Sequence, residues 1–302
     1  MLISHRGGRQ TGETISWFHA QCELSNQHCL YCGCDLSAES IKSDKEHWIA
    51  RNFVPKGTMT NGAFNFIFRA CRHCNARKCN AERHVSSVTL FNGPGRHEDP
   101  RAALSANRKA ANDFHPEKPG CTIGESHDQH TVRGTFGRAS ISFGFVSPPR
   151  VYADSIKELS LSQIQGLFSL ITTEDYRDSA KMRLLPEDQF FLFNSFPLSD
   201  WGNPQLVELS RRVNSWECLA NITSADGYFR VTVRRNGLQG WFWALEWNKF
   251  LRVIGGIAIG QSTLFQALPD LEWQQLSEGK SRFREEVAFT EHEDILFGGT
   301  CE

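Results

Sequence analysis

The spacing of apolar residues changes along the chain, and the changes mark out its elements. Ile156, Leu159, Ile164, Leu167, Phe168 and Ile171 recur at helical intervals, and residues 204–213 predict a second helix. Three strand-like runs follow, over 216–223, 228–234 and 241–247. Asp226-Gly227 and Asn236-Gly237 lie between them, the dipeptides that tight hairpin turns favour. Trp241, Trp243, Leu245 and Trp247 alternate onto one face, which predicts core or a subunit interface rather than a base-stacking platform. Upstream, residues 139–146 alternate like a strand that stops at Pro148-Pro149, and 101–114 reads as a short polar helix. The first 20 residues form a polar arm with an apolar patch at Ile15-Ser16-Trp17-Phe18.

These elements predict an α+β protein. Breakers at Gly93-Pro94-Gly95, Pro100, Pro116 and Pro119-Gly120 divide it into an N-terminal unit over 1–92, a connector over 93–150 and a C-terminal α+β domain with an antiparallel sheet over 151–302. No apolar run approaches the roughly 20 residues of a membrane span, and the first residues do not read as a secretory signal. A soluble, cytoplasmic protein without a membrane partner is expected.

Charge is uneven. The net charge is −1. Residues 1–150 hold 19 Lys/Arg against 13 Asp/Glu, whereas 151–302 hold 14 against 21. Within 42–84 there are nine basic side chains and three acidic ones, which points to a local anionic partner.

Ten cysteines in 302 residues are too few for a disulfide scaffold. Four form two C-x-x-C pairs, Cys29/Cys32 and Cys71/Cys74, a spacing that can give four thiolates to one tetrahedral structural Zn²⁺. Cys34 and Cys79 lie close by without comparable pairing. The 38 residues between the pairs exceed what a simple zinc ribbon carries, and they include Glu46-His47 and Asn65; Asn75 and Lys78 follow the second pair.

This ordered set, over about residues 25–85, resembles the HNH endonucleases. The resemblance implies two antiparallel strands and a helix around one catalytic metal. Two departures stand out: Ala50 occupies a position where the family often has Pro, and Asn65 precedes Cys71 by one residue more than usual, which leaves Asn61 as a second candidate for the central Asn. The resemblance implies cleavage of phosphodiester bonds, most readily in double-stranded DNA, with His47, Glu46 and Asn65 as the catalytic group. His47 would be the general base, since an imidazole accepts a proton near neutral pH. Glu46 and Asn75 would hold a catalytic Mg²⁺ or Mn²⁺, with His84 in reserve, and Asn65 would hold the loop that orients His47. Arg51, Lys56, Arg69, Arg72, Arg77, Lys78 and Arg83 would contact the nucleic-acid backbone.

A restriction or anti-phage defence role fits such a nuclease by analogy. The C-terminal domain would serve specificity, assembly as a homo-oligomer, or contact with an activating partner. Two other classes explain part of the pattern: a non-catalytic zinc-stabilised nucleic-acid-binding module, and a protein-interaction zinc domain partnered by the acidic second half. The first does not need Glu46-His47 or the Asn75/Lys78 ending, and the basic excess around the motif counts against the second.

Overall fold

The computed structural model describes residues 21–60, 63–237, 240–257, 261–277, 281–289 and 294–298; the N-terminal arm and Asn61 lie outside them. Strands β1 (Gln21–Glu23), β2 (Ser43–His47) and β3 (Asn65–Cys71) form a small sheet in the order β1-β3-β2. β2 and β3 are antiparallel, and β1 runs parallel to β3. Beyond β1, Asn26 continues that edge with its side chain. Its amide donates to Arg69 O at 2.7 Å, and its Oδ1 accepts from Arg69 N at 2.9 Å. Helix α1 (Arg72–Asn92) leaves β3 at Cys71 without an intervening loop, so the two strands and the helix make one ββα unit.

The breaker-rich stretch over 93–150 contains the helix and the strand expected within it. It holds α2 (Gly95–Glu98), α3 (Pro100–Asn112) and a hairpin of β4 (Asp128–Phe136) and β5 (Ala139–Ser147). α3 starts where sequence chemistry dictates: the Asp99 side chain accepts from Arg101 N at 2.8 Å, and Pro100 sits in the first turn, where no amide hydrogen is needed.

Helix α4 (Ala153–Thr172) contains the expected helical repeat, buried on nearly all sides. Next come β6 (Phe190–Pro197), α5 (Pro204–Val213), β7 (Glu217–Ser224), β8 (Phe229–Asn236), β9 (Gly240–Trp247) and β10 (Leu251–Ile257). The five strands form an antiparallel sheet in the order β6-β10-β9-β8-β7. Both hairpin dipeptides lie where expected, and Ala225, Asp226 and Gly227 all adopt positive φ in the β7–β8 turn. Gly255 in β10 is a packing requirement, since a Cβ there would come 2.0 Å from Phe191 O and 2.3 Å from the Trp243 ring.

The tryptophan face of β9 is core. Trp243, Leu245 and Trp247 are buried, and Trp247 Nε1 donates to Gln163 Oε1 on α4 at 2.9 Å. The opposite face, with Phe242, Ala244 and Ile254, covers α5. The apolar core also crosses the expected unit boundary. Trp48, just after β2, stacks on Phe66 at 5.0 Å, meets Phe229 of β8 edge-on at 5.2 Å, and donates from Nε1 to Gln163 O at 2.8 Å. No helix among the described residues is long and apolar enough to cross a membrane.

Candidate functional site

The cysteine cluster is built by a turn. Gly33 takes a positive φ of 74°, a conformation that costs glycine little, and so folds the chain back on itself. Cys29 N then donates to Cys34 O at 2.9 Å, and Gly33 N to Cys29 O at 2.8 Å. The sulfurs of Cys29, Cys32, Cys34 and Cys71 all lie within 4.8 Å of one another. Adjacent thiolates on a tetrahedral zinc ion with Zn–S near 2.3 Å are separated by about 3.8 Å. Cys32 Sγ and Cys71 Sγ are 3.7 Å apart. The donors therefore fit a metal ion such as zinc.

The membership of this cluster differs from expectation. Cys34 joins Cys29, Cys32 and Cys71, while Cys74 hydrogen-bonds to the Cys29 and Cys71 side chains. The bond from Cys74 lowers the Cys29 pKa to about 5 against the opposing effect of burial. Five thiols thus share a site for which sequence spacing nominated four. The C-x-x-C-x-C run from Cys29 to Cys34 was the available signal. Purified protein is expected to carry about one equivalent of zinc per chain. Cys34→Ser and Cys74→Ser, each measured for zinc affinity against a competing chelator, will show which thiol completes the tetrad; no bound zinc in freshly purified protein would rule the site out.

Beside the cluster, β2 ends in two consecutive residues with opposite orientations, as its pleat requires. Glu46 turns inward and His47 is half-buried. The Glu46 carboxylate, expected to bind a divalent ion, is an ion-pair partner of the Lys78 ammonium and also accepts from Tyr31 Oη at 3.4 Å. Lys78 is completely buried; it reaches Glu82 at 2.8 Å and donates to His47 O at 3.0 Å. Burial opposes its charge, but Glu82 and Glu46 together outweigh that and raise its pKa. Burial raises the Glu82 pKa.

Two expectations are corrected here. Lys78 cannot touch a nucleic-acid backbone, because no part of its side chain reaches solvent. Glu46 is not the open metal ligand expected, because it is buried and its Oε1 is taken by the internal ammonium. Of the expected ligands, Glu46 is paired with Lys78, Asn75 accepts from Cys79 and His84 accepts from Tyr152.

Asn65 opens β3 fully buried. Its Nδ2 donates to Ile49 O at 2.9 Å, and its Oδ1 accepts from Ile49 N and Phe66 N, each at 3.0 Å. It thereby clamps the chain two residues beyond His47. Ala50, at the position where proline was expected, keeps a free amide, and that amide donates to Glu82 Oε1 at 3.2 Å. A proline could not make this bond.

Asn75 lies on the first turn of α1, on the same face as Lys78, with Oδ1 accepting from Cys79 Sγ at 3.3 Å. His84 does not join this group. Its Nε2 accepts from Tyr152 N at 3.1 Å, and its ring neighbours are His115 and Tyr152. Burial, with His115 adding to it, lowers the His84 pKa to about 4.

Of the basic residues, Arg77 is paired with Glu158 of α4, and Arg72 with Asp44 at 3.4 Å. Arg51, Lys56, Arg69 and Arg83 are exposed.

A stretch of 61 residues is 38% identical to the Septu protein PtuB of Bacillus thuringiensis. The match covers 20% of this chain and 22% of that protein, so the chain spans about a fifth of the relative's length. No protein-family model matches the chain. No solved structure matches it either.

Proposed function

We propose that the protein is a nuclease that hydrolyses phosphodiester bonds, most readily in double-stranded DNA, with His47 as general base. In this reaction a water attacks phosphorus while His47 takes its proton, the bond from phosphorus to the leaving oxygen breaks, and that oxygen takes up a proton from solvent. The observation that carries the reading is how His47 is held. Lys78 fixes its carbonyl from below, and Asn65 clamps both polar groups of Ile49 beyond it. A backbone held at the His47 carbonyl and again two residues on gives the imidazole a fixed point of attachment, as a positioned base requires. The likeness to the Septu protein, though it covers a fifth of each chain, supports the same reading, and an anti-phage defence role is proposed on that likeness.

Burial, with Arg51 next in strength, holds the His47 pKa below 6.5. The imidazole is therefore neutral, and able to accept a proton, at neutral pH. The acid limb of the cleavage profile is expected below pH 6.5, and Arg51→Gln should move it upward; a limb unmoved by that change would count against His47 as the titrating base.

The deciding experiment is plasmid cleavage by the full chain with Mg²⁺, with Mn²⁺ and with EDTA, beside His47→Ala. Cleavage lost in the variant supports the reading. Duplex binding without cleavage under any condition would favour the zinc-stabilised binding module.

A further inference from the structure

A cleft of about 570 Å³ opens between α1, α3 and the loop after His47. Ala50 and Asn52 form its loop wall, Arg83 stands on α1, and Arg108, Lys109 and Asn112 on α3. The acids that also line it are engaged. Glu82 is paired with Lys78 and accepts from Ala50 N, and the Asp113 carboxylate accepts the Ser87 hydroxyl.

The cations are not matched in the same way. Among the described residues, neither Arg83 nor Arg108 has a side-chain ion pair, and both are exposed. Lys109 is largely buried, and its ion pair with Asp113 is long, at 3.8 Å. Burial lowers the Lys109 pKa; Asp113 and Glu82 oppose this, while Arg108 and Arg83 add to it. Three cations thus share one concavity with two carboxylates already hydrogen-bonded elsewhere. Such a site gains most from an anion with several acceptor oxygens, since guanidinium groups pair with phosphate through two parallel hydrogen bonds.

We propose that this cleft is a subsite for a backbone phosphate of the nucleic-acid strand, held by Arg83, Arg108 and Lys109. The choice of ligand rests on the nuclease reading. Arg83 follows Cys79 and Asn75 at four-residue intervals along α1, so the cleft lies about 12 Å along the helix from Asn75. A strand lying along this ridge passes the loop after His47 and delivers a flanking phosphate to α3. Arg108 and Lys109 had no signal in the sequence, because α3 lies outside the cysteine-bounded segment.

The test is binding of a fluorescein-labelled duplex by the full chain in a His47→Ala background, which leaves the probe intact, over 50–200 mM salt. Arg83→Gln combined with Arg108→Gln is expected to weaken binding about tenfold and to lower the slope of log affinity against log salt by about 0.9, the value of one lost phosphate contact. Lys157→Gln, an exposed change on α4, should alter neither. Unchanged affinity and slope in the double variant would overturn the inference, and so would a parent chain that binds no duplex at all. If the double variant weakens binding but the unsubstituted chain cleaves nothing with Mg²⁺ or Mn²⁺, the subsite stands and the nuclease reading falls.

Discussion

His47→Ala is expected to slow phosphodiester cleavage by at least about 100-fold, the lower end of what a positioned general base contributes. The prediction is sharp because the substitution removes little else. What fixes this segment is the His47 carbonyl, held by Lys78, and the Ile49 amide and carbonyl, held by Asn65; none of these involves the imidazole. The ring is half-buried rather than part of the core, so zinc content, duplex affinity and melting temperature should stay close to those of the parent. A variant that retains its fold and its DNA but cuts at parental speed would remove His47 from the chemistry. Asn75 would then be the next residue to change.

The largest effect on stability is expected from Lys78→Met. The ammonium lies between the Glu46 and Glu82 carboxylates, all three groups being buried, and no water reaches it. Methionine fills much of the same volume but leaves two carboxylates facing each other without a counter-charge. Removing one partner of a buried ionic group typically costs ~3–5 kcal/mol, most of it from the charges left behind. Urea unfolding should show that loss. The triple change Lys78→Met, Glu46→Gln, Glu82→Gln separates charge from packing, and it should recover a large part of the stability. A loss under about 1 kcal/mol in the single variant would mean that the carboxylates take up protons or reach solvent instead.

Several features of the site were open to a reader of the sequence, for reasons that can be named. The cysteine pairs declare themselves because metal ligation demands short spacing. Asn65 stands out only through its order among the other motif residues, yet it is fully buried and makes three backbone hydrogen bonds. The β7–β8 and β8–β9 hairpins follow from their Asp-Gly and Asn-Gly dipeptides, and α4 from its apolar repeat.

In sequence Lys78 is one more basic residue in a basic segment, which reads as a solvated contact for an anionic backbone. What buries it is Glu46, 32 residues earlier, brought over α1 by the pairing of β2 with β3. The same distance in sequence hid the engagement of Glu46, although the pleat already required Glu46 and His47 to face opposite ways. Strand β6 carries no turn signal or alternation of its own, since Phe190 to Phe193 are apolar without interruption.

The indole of Trp48 adjoins His47 in sequence yet finds its partners in β8 and α4. Phe53 likewise meets Trp247 at 6.1 Å, and Asn248 Nδ2 donates to Phe53 O at 3.3 Å. A chain cut near Arg150 would therefore not be a self-sufficient N-terminal unit. It would strip the covering from Trp48, Phe53 and Phe66 and leave a sticky fragment. The second half of the sequence is thus the other side of the wall against which the histidine loop is built, and heating should melt sheet and loop in a single step.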